Sequence, residues 1–144
     1  MTDYSARIAL IATVLTNDPD IGPMVDGQVV PGVQVPSADK YLTYPNQCCI
    51  SVYTRIGRSM GLPGAAYHGM AECDHLIHID VHSISDSDTY ASQVAGKIED
   101  LLRKCVEDSN YQINIGNITW RPIRDPSFGN RIIINGTAEA SYLG

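Results

Sequence analysis

The residues with the clearest chemical potential are a group of histidines around one aspartate. They follow the pattern His75-x-x-His78-x-Asp80-x-His82, with apolar residues at most positions between them. Side chains at alternate positions of a β-strand project from the same face, so His78, Asp80 and His82 would share one face. Imidazole nitrogens and carboxylate oxygens are ligands of zinc and related cations. This spacing makes the three residues a candidate metal site of a metal-dependent enzyme.

A strand that buries one face and turns the other to solvent gives the same pattern of alternating polar residues. Closed metal sites usually draw their ligands from several elements, whereas these three candidates follow one another on a single predicted strand. We therefore prefer the solvent-facing interpretation of His78, Asp80 and His82, and expect no bound metal and no other cofactor. The metal-dependent enzyme is kept only as an alternative.

Other catalytic signatures are missing from the sequence. It contains no GxSxG, HExxH, Walker-type or GxGxxG pattern, which are the common local marks of hydrolases, metalloproteases and nucleotide-binding proteins. Trp120 beside Arg121 could stack on a nucleic-acid base, but a single aromatic residue is more often part of a core. The sequence thus predicts no catalytic residues and a protein that is not an enzyme.

The four cysteines predict reduced, buried thiols. Cys48 and Cys49 are adjacent, and neighbouring residues of a strand point to opposite faces, which places them poorly for a mutual disulfide. Cys73 and Cys105 stand in unrelated segments, and no pair has zinc-finger spacing. Reduced cysteines are typical of proteins that fold in a cytoplasm.

The charge balance and the apolar pattern argue against nucleic acid and membranes as direct partners. The net charge is −6 and the chain has no basic run, so it lacks the row of cations that neutralises phosphates in nucleic-acid-binding proteins. No apolar run approaches the length that spans a membrane, and the N-terminus lacks the basic and apolar regions of a secretory signal. We expect a soluble protein without membrane contact that repels DNA rather than holding it.

Two helices are predicted from apolar residues recurring at three- and four-residue spacing. The first runs from about Asp3 to Leu15 and ends at Asn17-Asp18-Pro19, because proline disfavours helix in the preceding residue. The second follows the N-capping sequence Ser85 to Asp88 and ends near Val106. Its predicted buried stripe comprises Tyr90, Val94, Ile98, Leu101, Leu102 and Cys105.

Alternating apolar residues predict four strands, over Cys48–Ile56, Asp74–His82, Tyr111–Pro122 and Arg131–Tyr142. The sequence then predicts one α+β domain over residues 1–144, a mainly antiparallel four-stranded sheet with both helices on one face. Residues 17–45, rich in proline and glycine, form a long loop. Two short apolar pieces in it, Gln28-Val29-Val30 and Val33-Gln34-Val35, could be brief edge strands or extended loop.

Residues 57–71 lie between the first two predicted strands and form the predicted tip of a protruding hairpin. Four glycines and one proline in this segment indicate a loop, yet its large side chains are unusually apolar for one. An arm that buries them on a neighbouring subunit would explain this composition; a loop folded back on its own domain is the alternative. The predicted interface residues are Arg58, Met60, Leu62, Tyr67 and Met70.

The order of these elements resembles a known protein family. A first helix ends in NDPDI (17–21), a long loop and a hairpin follow, and the strand LIHIDVHSIS (76–85) precedes the helix YASQVAGKIEDLL (90–102). This arrangement is similar to that of the tail terminator proteins of long-tailed bacteriophages, also called tail-completion or head–tail joining proteins. The likeness extends over nearly the whole chain and concerns arrangement more than individual residues.

The resemblance implies a virion protein assembled in the host cytoplasm. Such a protein forms a ring, commonly a hexamer, that caps the tail tube and offers a docking face to neck or head-completion proteins. Its partners would be further copies of itself, the tail tube protein and the neck, with DNA passing through without specific binding. A neck or head-completion adaptor of similar topology is the alternative within the same class of structural proteins.

Overall fold

A computed structural model describes five parts of the chain, which are residues 4–54, 76–84, 89–108, 115–123 and 130–139. They form an α+β fold with one mixed five-stranded sheet. The described helices are α1 (Tyr4–Asn17), α2 (Ile21–Met24), α3 (Ala38–Tyr41) and α4 (Thr89–Glu107). The strands are β1 (Val29–Pro31), β2 (Cys48–Thr54), β3 (Leu76–Ser83), β4 (Thr119–Ile123) and β5 (Ile132–Glu139). None of these helices is both long and apolar enough to cross a membrane.

The sheet has the spatial order β1-β2-β3-β5-β4. β2, β3, β5 and β4 pair antiparallel in that order; the sequence predicts the antiparallel pairing but not the order. β1 adds a parallel edge strand beside β2, so the prediction of four strands was one too few. Parallel neighbours need a long crossover connection, and residues 32–47 provide it between β1 and β2. This parallel pair makes the sheet mixed.

Both long helices pack on one face of the sheet, which confirms their predicted stripes. Ile11 and Leu15 of α1 and Ile98 and Leu102 of α4 are at most 2% exposed. They share a single core cluster with the inward residues of β2, β3 and β5, because the helical spacing places them on one side of each helix. We call this side of the sheet the helix face.

The predicted loop over residues 17–45 contains more structure than expected. Asp18 Oδ2 accepts hydrogen bonds from the amides of Asp20 and Ile21 and so begins α2. Further on, Asn46 donates through its backbone and side-chain amides to the Asp26 carboxylate, which ties the turn before β2 to the turn after α2. The proline and glycine content had hidden these short elements, since α2 and α3 each span only four residues.

The predicted start of the edge strand β4, Tyr111, lies outside the described residues, and within them β4 begins at Thr119. Ile115 makes an isolated bridge, and the amide of Gly116 donates to the Glu139 carbonyl at 2.7 Å before the strand starts at Thr119. Trp120 lies across Gly136 of β5, where an added Cβ would be 2.5 Å from the indole ring. Trp120 also packs against the core cluster, so its interpretation as a core residue is confirmed.

Candidate functional site

The face of the sheet opposite the helices carries the polar residues singled out in the sequence. The register pairs Ser51 with Asp80 and Tyr53 with His78 across β2 and β3. It also places Asn135 of β5 beside Asp80. We call this side the polar face. Its buried polar side chains are Ser51, His78, Asp80, His82 and Asn135, each at most 7% exposed.

Asp80 is a hydrogen-bond acceptor at the centre of the polar face. Tyr53 donates its hydroxyl to Oδ2 at 2.8 Å, and Asn135 donates its amide to Oδ1. Thr137 in turn donates to the Asn135 carbonyl oxygen at 3.0 Å. The Tyr53 ring stacks on His78 with centroids 5.0 Å apart. Because a buried carboxylate is costly without donors, these bonds account for the residue types around it.

His82 is part of a second series of hydrogen bonds, in which the donor and the acceptor of each bond can be assigned. Its Nδ1 lies 3.4 Å from an Arg131 guanidinium nitrogen, and its Nε2 lies 3.1 Å from Ser51 Oγ. Arginine has no acceptor, so Nδ1 accepts from Arg131 and the neutral ring carries its proton on Nε2. Ser51 Oγ donates onward to the Gln34 carbonyl at 3.3 Å. This series of hydrogen bonds therefore connects the backbone of Gln34 to the sheet.

This tautomer excludes a serine nucleophile activated by His82. A general base must accept the serine proton, but Nε2 of His82 already holds a proton. Burial lowers the pKa of His82 to about 3, with the Arg131 charge adding to the effect. The imidazole thus stays neutral at physiological pH, and the fully buried Ser51 is out of reach of a substrate.

Neither interpretation of the His78-x-Asp80-x-His82 pattern agrees with the structure. All three residues are buried, so the preferred solvent-facing interpretation was wrong. Residues rise about 3.3 Å along a strand, which separates His78 from His82 by roughly 13 Å, whereas zinc ligands each lie about 2 Å from the ion. Within the described ranges no group of three histidine, cysteine or acidic residues could hold a metal.

The crossover between β1 and β2 covers part of the polar face. Pro36 is buried, and the Gln34 carbonyl is bonded to Ser51. The side chains of Val33 and Val35, which flank Gln34, are 42% and 43% exposed. The backbone of this segment is thus bound to the sheet while its two valines face outward.

A surface groove lies on the other side of the molecule, between the C-terminal half of α4 and the segment that leads into β4. Its cavity volume is about 270 Å³. Leu102 and Ile115 are buried beneath it, and Val106 is 39% exposed. Glu99, Arg103 and Glu107 also line it, with Arg103 and Glu99 paired at 3.5 Å. We call this the α4 groove.

Only some of the remaining predicted residues lie in the described part of the chain. Arg58, Met60, Leu62, Tyr67 and Met70, together with the whole predicted arm over 57–71, lie outside the described residues. Cys48, Cys49 and Cys105 are free and buried, as predicted, and Cys73 lies outside the described part. Burial raises the pKa of both Cys48 and Cys49 to about 12, which keeps these thiols unreactive.

Sequence reasoning missed the partners that make the polar face a network. Ser51 and Tyr53 alternate with apolar residues on β2, as His78, Asp80 and His82 do on β3. Matching alternation on two predicted neighbouring strands is a signal for cross-strand polar pairs. Asn135 and Arg131 gave no such signal, because their contact with β3 depends on the strand order.

No model of a known protein family matches the chain. No curated protein matches it as a relative.

Proposed function

We propose that this chain is a ring-forming structural protein of a long-tailed bacteriophage, a tail terminator that caps the tail tube and joins it to the head. The observation that carries the proposal is the connection between β2 and β3. These strands are paired up to Thr54 and Ile77, yet residues 55–75 separate them in the sequence. Hairpin loops usually have 2–5 residues, and a connection beyond about 12–15 residues is uncommon in a compact domain, where it is usually either a functional segment or a linker.

The composition of this connection supports a role in binding other subunits. It includes Met60, Leu62, Tyr67 and Met70, and residues 57–71 contain no acidic residue although the chain has a net charge of −6. Apolar side chains in a long surface connection are typical of a segment that is buried on a partner. The acidic remainder of the chain suits a ring through which DNA slides without sticking.

The chemistry of the polar face also favours a structural role. Asp80, His82 and Ser51 make hydrogen bonds within the sheet and to the crossover. A catalytic group must reach a substrate, whereas these side chains are at most 2% exposed. Their hydrogen bonds support the fold, and we assign them no catalytic role.

Electron microscopy of the purified protein with tail tubes tests the proposal. The tubes would be assembled from the tube protein encoded by a neighbouring gene, and native mass spectrometry would measure the oligomer. We expect a closed ring at one end of each tube and an arrest of tube growth. Binding to filled heads but not to tubes would favour the neck adaptor instead. A strict monomer that binds neither structure would contradict both assignments.

A further inference from the structure

The α4 groove is smaller than a typical small-molecule site. Its volume of about 270 Å³ falls below the range of roughly 300–1,000 Å³ in which ligand pockets are found. Its floor is aliphatic, with Leu102, Val106, Ile115 and Ile118. These dimensions and this chemistry fit one or two inserted apolar side chains.

The edges of the sheet offer poor alternatives for binding a partner strand. In β1 the amide of Val29 donates to the Gly27 carbonyl, and Pro31 has no amide hydrogen. The Gln28 amide donates to the Val25 carbonyl, and the Gly32 amide donates to the Val52 carbonyl of β2, so none of these positions offers a free donor to a new strand. β4 contains Pro122, which removes a donor from the other edge. Contacts between subunits should therefore depend on side chains.

The rim of the groove has a net negative charge. Arg103 is paired with Glu99, whereas Glu107 belongs to neither of the two ion pairs found in the described parts of the chain. A segment that carries a cation next to apolar residues would complement both the rim and the floor. In this sequence, residues 57–71 combine Arg58 with Met60 and Leu62 and contain no acid.

We propose that the α4 groove of one subunit receives the segment 57–71 of a second copy, with Leu62 on the aliphatic floor and Arg58 beside Glu107. The inference rests on the proposed ring. A ring is built from heterologous contacts, in which one surface of each subunit meets a different surface of the next. The segment and the groove are two such surfaces on one chain.

The ends of the strands also suit this arrangement. β2 ends at Thr54 and β3 begins at Leu76, which pairs with Glu139 of β5. Gly116 on the groove wall donates its amide to the Glu139 carbonyl. β2 thus ends and β3 begins at the end of the sheet where the groove lies, so adjacent copies can meet at that end of the sheet.

Cross-linking between two differently tagged variants tests the contact. One variant carries Leu62→Cys and the other Val106→Cys, both with Cys73→Ser, and a short bis-maleimide is added with and without tail tubes. The native thiols at positions 48, 49 and 105 are buried and should not react. We expect a cross-linked product containing both tags. The control replaces Val106→Cys by Asp100→Cys, an exposed position on α4 outside the groove, and should give little product.

Two results would overturn the inference. One is a lack of product containing both tags under either condition, and the other is equal product with the Asp100→Cys control. A chain carrying Leu62→Cys and Val106→Cys together, diluted below assembly, tests the competing occupant. Cross-linking only within that single chain would show that the segment folds into its own groove, and would also overturn the inference.

A charge exchange tests the proposed neighbours Arg58 and Glu107. Glu107→Lys should weaken self-association about fivefold, the upper range for an exposed ion pair. Adding Arg58→Glu should restore it, whereas Asp100→Lys should leave it unchanged. No loss with Glu107→Lys, or no recovery in the double variant, would contradict the pairing.

Two further outcomes distinguish the groove contact from the terminator assignment. A ring on tail tubes without the cross-link would leave the terminator assignment intact and remove the groove contact. The cross-link in an assembly that ignores tail tubes would retain the contact and remove the terminator assignment.

Discussion

The two faces of the sheet are buried to a similar extent by different chemistry. On the helix face, Ile79 and Val81 pack beneath α1 and α4 and are fully buried. On the polar face, Asp80 and His82 alternate with them along the same strand and are at most 2% exposed. The helix face is stabilised by apolar burial, while the polar face depends on satisfied hydrogen bonds. Alternation in a sequence therefore distinguishes two faces but does not show which one meets solvent.

The largest effect is expected on the helix face. Ile79→Ala should lower the free energy of unfolding by about 4 kcal/mol, because it removes a fully buried side chain and leaves a cavity. Ile79→Val should cost about 1 kcal/mol. Urea unfolding followed by circular dichroism measures both. A cost near zero for the alanine variant would mean that this face is not a packed core.

Removing the central acceptor of the polar face should cost nearly as much. Asp80→Ala leaves the Tyr53 hydroxyl and the Asn135 amide without their shared acceptor, with an expected loss of about 3 kcal/mol. Tyr53→Phe removes one donor and should cost about 1.5 kcal/mol. The same urea experiment applies. If Asp80→Ala unfolded at the wild-type midpoint, Asp80 would be exposed and the network would not form.

Acid should destabilise the protein through His82. Burial lowers the pKa of His82 from 6.5 to about 3, so below pH 6.5 the unfolded chain binds a proton that the folded protein does not bind. Stability is then complete above pH 6.5 and falls as the pH decreases towards 3, by about 2 kcal/mol at pH 5. His82→Gln should flatten this part of the profile. Equal slopes for both proteins would exclude a buried neutral histidine.

The smallest effect concerns Cys48 and Cys49, which lie on opposite faces of β2. Burial raises the pKa of each to about 12, so neither should react with a thiol reagent at pH 8 in the folded protein. A Cys73→Ser variant removes the cysteine outside the described residues. Mass spectrometry should find this variant unlabelled when native and labelled at three cysteines in denaturant. Native labelling at Cys49 alone would show that the polar face opens more readily than the helix face.

The helix face could be predicted from the sequence almost completely. Its helices follow from apolar residues at helical spacing, and Ile11, Leu15, Ile98 and Leu102 are buried as expected. The three antiparallel pairings also agree with the predicted strands. These features depend on local periodicity, which a single sequence displays directly.

The burial of the polar face could not be predicted in the same way, and β1 could be predicted only as an open choice, since Gln28-Val29-Val30 is compatible with a brief edge strand or with extended loop. Buried His82 interacts with Arg131 and with the Gln34 carbonyl, which lie far from it in the sequence. β1 has three residues and includes Pro31, a composition that favours loop in the absence of its partner β2. Both features arise from the crossover over residues 32–47, and local patterns do not reveal its path.

We propose that this protein acts as a ring at the end of a phage tail tube. Electron microscopy of tubes incubated with the wild-type protein, and with a Leu62→Ser/Met70→Ser variant as the matched control, tests it most directly. We expect rings on one end of the tubes for the wild type and few or none for a variant that remains folded. Wild-type protein that stays monomeric and leaves both tube ends bare would contradict it.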